Sequence, residues 1–311
     1  MKKRNLRIFS VLILFSALII LSGCQAIPED GFKGIGKFGK KTESQFSGRL
    51  VGVDLTTIPS SKEIRSGESF GIAGVLKNNL EQPIEGKACL SDKVSDSFGG
   101  IPSNYCQSFF MEAADERGPD QIELFQDTSF TYDVPFDFGD VGINSYIIYK
   151  AKMQGIVKNV CIKPDLFENP ECKNAETFSR ESLDFSSGPL VITSVKKEMS
   201  KQENQVVMRL FVTLQKLGNS DIISSELVDS VDLEGFIKDN DVVITANYAG
   251  IGEFACDNDN IIEIVKSSTE IECVGKFSVD EIIESPVSFV VEYGVRETKN
   301  VGIFPLVARE V

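Results

Sequence analysis

Val206-Val207-Met208-Arg209-Leu210-Phe211-Val212-Thr213-Leu214-Gln215 decides the fold class. Val206, Met208, Leu210, Val212 and Leu214 fall on one side of an extended chain, and Arg209, Thr213 and Gln215 on the other. Successive side chains of a strand point to opposite faces, so this alternation predicts a half-buried strand. Gly218-Asn219 closes the run with turn-forming residues.

The same period recurs elsewhere. Ile147, Tyr149, Ala151 and Met153 alternate with Ile148, Lys150 and Lys152, and Phe289, Val291, Tyr293 and Val295 alternate with Val290, Glu292, Gly294 and Arg296. Phe70, Ile72 and Leu76 share a face before Lys77-Asn78-Asn79 ends that run, and residues 301–307 supply a final strand. Residues 133–142, with Pro135, Gly139 and Gly142, read as a breaker segment, as do Pro164 and Pro170. Only 224–236 leaves room for a short helix.

Each half of the chain holds an early strand ending in a polar turn, two cysteines at one spacing, and a late strand carrying Tyr149 or Tyr293. The offsets differ elsewhere, so the repeat requires insertions in both halves. Short alternating strands separated by turns predict an all-β chain of two β-sandwiches, 49–187 and 188–311. Val75-Leu76-Lys77-Asn78-Asn79-Leu80-Glu81-Gln82-Pro83 resembles the immunoglobulin-like, adhesion-related modules of bacterial and archaeal surface proteins, in which an early strand ends in Lys-Asn before a proline-containing turn. The likeness implies tandem immunoglobulin-like sandwiches and covers about one strand pair per domain. The cysteine–tryptophan–cysteine core of antibody-type domains is absent, because the chain has no Trp.

The N-terminus carries an address. Lys2, Lys3, Arg4 and Arg7 precede an apolar run over 8–21, the charged and apolar regions of a secretory signal. A membrane-crossing helix needs about 20 apolar residues, so this run is short for a span. Leu21-Ser22-Gly23-Cys24 resembles a prokaryotic lipobox. That resemblance implies removal of 1–23, a diacylglycerol on the Cys24 thiol, and a lipidated tether over 24–48 that holds the chain to the outer side of the cell membrane. A plain signal peptide or an uncleaved anchor helix is the alternative. Within the tether, the lysines of 32–41 suit either an anionic headgroup layer or a soluble spacer.

Removing the signal leaves 28 basic against 46 acidic residues, a net charge near −18. That balance disfavours nucleic acid, which demands clustered Lys and Arg. The absence of His removes Ser-His and Cys-His nucleophilic pairs, His general bases and His-ligated metals. Three motif matches fail on context. Gly34 to Gly39 fits GxGxxG, and Gly34 to Lys41 nearly fits a P-loop, yet neither follows a strand. Gly67-Glu68-Ser69-Phe70-Gly71 fits GxSxG but has no His partner and is followed by a strand.

Besides Cys24 there are six cysteines, an even number that reads as disulfides in an exported chain. Six allow 15 connectivities; their spacing suggests the local pairs Cys89–Cys106, Cys161–Cys172 and Cys256–Cys273. No CxxC supports thiolate metal binding. Asp257, Asp259 and Glu263, with Asp239 and Asp241 nearby, offer oxygen ligands suited to structural calcium, against a plain acidic turn. Tyr105, Phe109 and Phe110 are the candidate aromatic binding patch, against burial beside Cys106. The expectation is a non-enzymatic, lipid-anchored envelope protein without cofactor beyond that calcium, contacting envelope protein or glycan. The rivals are a carboxylate-based glycan hydrolase and an architectural subunit of an envelope assembly.

Overall fold

In a computed structural model, residues 52–308 are described, apart from 95, 104, 135–138, 180–181, 230–239 and 266. Cys24, the signal, the tether over 24–48 and Asp239 lie outside the described residues. The strands in chain order are β1 (Val53–Pro59), β2 (Ile64–Arg65), β3 (Ser69–Phe70), β4 (Ile72–Asn78), β5 (Ile84–Asp92), β6 (Tyr105–Met111), β7 (Asp120–Leu124), β8 (Phe130–Thr131), β9 (Gly139–Ile162) and β10 (Ala175–Phe178). They continue as β11 (Leu183–Phe185), β12 (Leu190–Gln202), β13 (Gln205–Lys216), β14 (Asp221–Ile223), β15 (Asp241–Tyr248), β16 (Gly252–Cys256), β17 (Ile261–Glu263), β18 (Ser268–Phe277) and β19 (Ile283–Val307). The chain is nearly all β: short 3-10 turns supply the helical structure among the described residues, one of them at Ser225–Val228, inside the segment that left room for a helix.

β13 follows its sequence period, with Val206, Met208, Leu210, Val212 and Leu214 buried and Arg209 exposed. It pairs antiparallel with β12 and β18. The long strands β9 and β19 pair antiparallel over nearly their whole lengths of 24 and 25 residues. Their alternating burial accounts for that length, since Ile147, Tyr149, Ala151 and Met153 face Val291, Tyr293 and Val295 across one apolar face. β9 begins at Gly139, inside the stretch read as a breaker, with φ +93° at that glycine. Irregularities after Val157 and after Asn300 bend the two strands near their C-terminal ends, the first at Asn159 with φ +54°.

Each long strand serves two layers. The first half of β9 pairs with β5, which pairs with β6. The second half of β19 lies against this first half of β9 and takes β2 on its other edge. Two smaller sheets, β1-β4-β7 and β3-β8, are separate from this large sheet; from the second, Phe70 meets Phe304 of β19 edge-on at 5.3 Å, and Phe130 meets Tyr105 of β6 at 5.2 Å. At the other end of the ladder, the first half of β19 pairs with β15. β15 hairpins into β16, which passes to β18-β13-β12-β10. The second half of β9 completes this end, so the chain's two halves exchange strand ends reciprocally. The buried apolar residues of both ends join in one core.

The polar turn after β4 is built by its asparagines. Asn78 is fully buried; its Nδ2 donates to the carbonyls of Gln82 (2.9 Å) and Glu112 (2.7 Å), and its Oδ1 accepts the Leu80 N–H at 3.0 Å. Asn79 Nδ2 donates to the Gly52 carbonyl at 3.0 Å. A short amide side chain satisfies a buried turn that an apolar residue would leave unpaired.

Candidate functional site

The three disulfides are Cys89–Cys106, Cys161–Cys172 and Cys256–Cys273. The first and third join residues directly opposite each other on neighbouring strands, with Cα atoms 4.0 and 3.9 Å apart. The second closes a loop whose carbonyls are held by lysines. Lys197, fully buried, donates to the Cys161 carbonyl at 3.1 Å and lies 3.5 Å from a Glu176 carboxylate oxygen. Lys163 donates to the carbonyls of Glu168 (2.6 Å) and Asn169 (3.1 Å). Burial pulls the Lys197 ammonium below its ordinary range, and the Glu176 charge offsets part of that pull.

The aromatic candidates are separated by strand parity. Phe109 points into the core, Tyr105 is half-buried against Phe125 and Phe130, and Phe110 is exposed opposite Glu85. A left-handed turn, with φ between +48° and +70° at Asn258, Asp259 and Asn260, runs through the acidic candidates, with Asp257 before it and Glu263 after it. Asp257 accepts the Glu272 N–H at 2.8 Å, and Asn260 accepts the Cys256 N–H at 2.8 Å. Asp259 and Glu263 are exposed. Among the described residues no group of three or more acidic or thiol side chains gathers to hold a metal. Ser69, of the GxSxG match, lies in β3 and accepts the Ser129 hydroxyl at 3.1 Å.

A cleft of about 240 Å³ at the waist brings together residues from opposite ends of the sequence: Val53, Asp54, Asn79, Pro189, Ser220 and Glu297 line it. The alternation of β19 turns the half-buried Glu297 carboxylate toward the interior side of the ladder, where it accepts the Ser220 hydroxyl at 3.1 Å. Burial raises its pKa above the usual carboxylate range. The Ser220 hydrogen bond, Lys299 and Tyr149 oppose the rise, and Asp54 adds to it. Asp54 is itself paired with Lys299.

Two tyrosines lie beneath. Tyr149 and Tyr293 are fully buried, and burial first of all holds both phenols well above their ordinary pKa. The Tyr149 hydroxyl lies against the Glu297 carboxylate, whose charge pushes its pKa up further, and against the Val53 backbone. The Tyr293 hydroxyl, beside Gly188 and the Leu190 backbone, closes no hydrogen bond among the described residues. Ser187 Oγ and Gln82 Nε2 are likewise buried and unpartnered. Sequence reading singled out Tyr149 and Tyr293 as matching features of the two halves; the cleft's acids, 243 positions apart in Asp54 and Glu297, carried no local signal.

Fold and site together define an all-β, disulfide-clamped protein with a small polar cleft at its waist. No family model matches the chain, and no curated protein matches it.

Proposed function

We propose that this is a lipid-anchored protein of the cell envelope, facing away from the cytoplasm, whose β-layers act as immunoglobulin-like modules for contact with protein or glycan. One observation carries the reading. The six cysteines beyond the N-terminal region pair among themselves, and the seventh, Cys24, stands apart from those pairs in a lipobox-like sequence. Disulfides of this density fit an oxidising compartment outside the cytoplasm. The lipid supplies location, the tether reach, and the strand edges and loops supply recognition.

A hydrolase reading draws on Asp54 and Glu297 sharing a cleft. Asp54 is engaged by Lys299, however, and glycoside hydrolysis wants two carboxyl groups free to face a scissile bond, one as acid and one as base or nucleophile. Binding without chemistry is therefore the reading kept.

The test is the mass of the protein extracted from its own membranes in mild detergent, without reduction. The expected result is the chain from Cys24 plus acyl groups. A mass retaining residues 1–23 sinks the lipoprotein reading. Native mass then separates a free receptor from an assembly subunit, which would travel with a stoichiometric partner.

A further inference from the structure

We infer that the loop closed by Cys161–Cys172 docks a protein partner, with Phe167 as the anchor that enters an apolar pocket rimmed by Lys and Arg. The inference rests on the reading of this protein as a binding module and names the surface it uses and the chemistry that surface takes.

Phe167 is 98 % exposed, against 66 % for Val265, the next most exposed large apolar residue among those described. The loop has little freedom to fold the ring away. Its ends are tied by the disulfide, and the buried Lys163 holds the carbonyls of Glu168 and Asn169. Asn174 Nδ2 donates to the Leu166 carbonyl at 2.9 Å, and Lys201 Nζ to the Pro164 carbonyl at 3.1 Å. The Phe167 N–H itself donates to Asp165 Oδ1 at 2.9 Å. The backbone is thus fixed on both sides of the ring, so docking it costs little ordering entropy. Aromatic side chains presented in this way are the anchors that carry most of an interface's energy.

Charge decides the partner. The loop follows the end of β9, where Ile162 pairs with Ile283 at the start of β19, and Gln205 of the β12–β13 hairpin meets Ser278 Oγ at 3.4 Å. This end of the sheet exposes Glu168, Glu171, Glu203, Asp280 and Glu281 along with Ile282. Its lysines are turned elsewhere: Lys163 and Lys201 onto loop carbonyls, Lys173 and Lys197 toward Glu176. An anionic lipid surface is repelled by such a rim, and a second copy would bring the same acids against it. An apolar anchor within an acidic rim is complementary to an apolar pocket within a basic one.

The probe is p-benzoyl-phenylalanine placed at Phe167 of the full chain and irradiated in its own membranes, with the same replacement at Phe110, exposed in β6, as control. A discrete adduct with one other protein is expected from position 167 and not from 110. Excess unmodified full chain, added in mild detergent, suppresses that adduct. The Phe167→Ser chain competes at least about tenfold more weakly, as does a second competitor carrying Glu168→Lys and Glu171→Lys. Salt near about 1 M, where the screening length falls to about 3 Å, lowers the yield. Phe167→Ser should unfold at the wild-type midpoint, since its ring already lies in water, so lost competition reads docking and not folding. Absence of an adduct, equal adducts at both positions, or undiminished competition by Phe167→Ser overturns the inference. An adduct with lipid alone, with glycan, or with a second copy of this chain also overturns it and assigns the loop to that contact. The mass measurement reads Cys24 and the cross-link reads the loop, so either reading can fail while the other stands.

Discussion

Tyr149 and Tyr293 occupy dyad-related positions in the central ladder: Tyr149 is paired with Val295, and Tyr293 with Ala151. The local two-fold of an antiparallel pair carries one ring onto the other, so the two halves of the chain meet through equivalent residues. Both rings are buried, and the Tyr293 hydroxyl meets no hydrogen-bond partner among the described residues. The apolar bodies hold the waist together while the polar tip of Tyr293 works against it.

Tyr293→Phe therefore stabilises the fold. A buried hydroxyl left unsatisfied costs about 1–3 kcal/mol, and phenylalanine keeps the ring while removing that cost. Urea unfolding at constant m-value should show a gain of about 1 kcal/mol. A loss of that size would mean the hydroxyl is bonded inside the waist.

Lys197→Met changes the alkaline limb of the stability profile. The folded-state pKa of Lys197 lies below its unfolded value. Between the two, the unfolded chain binds more protons, so stability rises with pH across that window and the buried charge penalises folding most below it. Methionine fills the same space without the charge. Unfolding midpoints compared from neutral pH to just below the ordinary lysine range should show this rise in the wild type and not in the Lys197→Met variant.

Removing Cys89 with Cys106, or Cys256 with Cys273, lowers stability by about 3 kcal/mol in each case, because each bond closes a loop of similar length in the unfolded chain. The two bonds share no partners, so the losses should add in the quadruple variant. Denaturant unfolding of the three variants checks both size and additivity. An unchanged midpoint in the quadruple variant would count against clamping by these bonds.

Gly294→Ala lifts the 221–229 segment from the sheet. A Cβ at Gly294 would lie 2.8 Å from Ile223 Cγ1 and 2.9 Å from both the Ser224 carbonyl and Val228 Cγ2. β14 pairs with β19 there, Val228 is buried, and Asp229 anchors the segment through Lys150 at 2.9 Å. Overpacking of this kind costs about 1–3 kcal/mol. Amide exchange should quicken at Asp221–Ile223 and stay slow in β13; protection retained in β14 would show that the segment yields without detaching.

Much of the fold is legible in short windows. The β13 alternation, the late strands carrying Tyr149 and Tyr293, and the three local cysteine pairs all depend on neighbours a few residues apart or on loops short enough to close locally. Parity also decides Phe109 and Phe110, one inside and one outside, which a view of them as a single aromatic patch passes over. The extension of β9 back to Gly139 was hidden because a glycine at positive φ resembles a breaker until a partner strand is supplied, here by Leu306.

The sequence by itself determined the all-β character and the strand faces, because side-chain alternation is a property of the extended chain alone. It also suggested the local cysteine pairs, since short loops close at the lowest entropic cost, though the connectivity among six cysteines was decided by the fold. Only the tertiary structure decided that the two halves exchange strand ends, that Lys197 is caged beneath a disulfide loop, and that Asp54 and Glu297 share one cleft. Those outcomes depend on which strand edges meet across more than a hundred residues, and on the burial such a meeting imposes on charges and hydroxyls that look solvent-exposed in the chain.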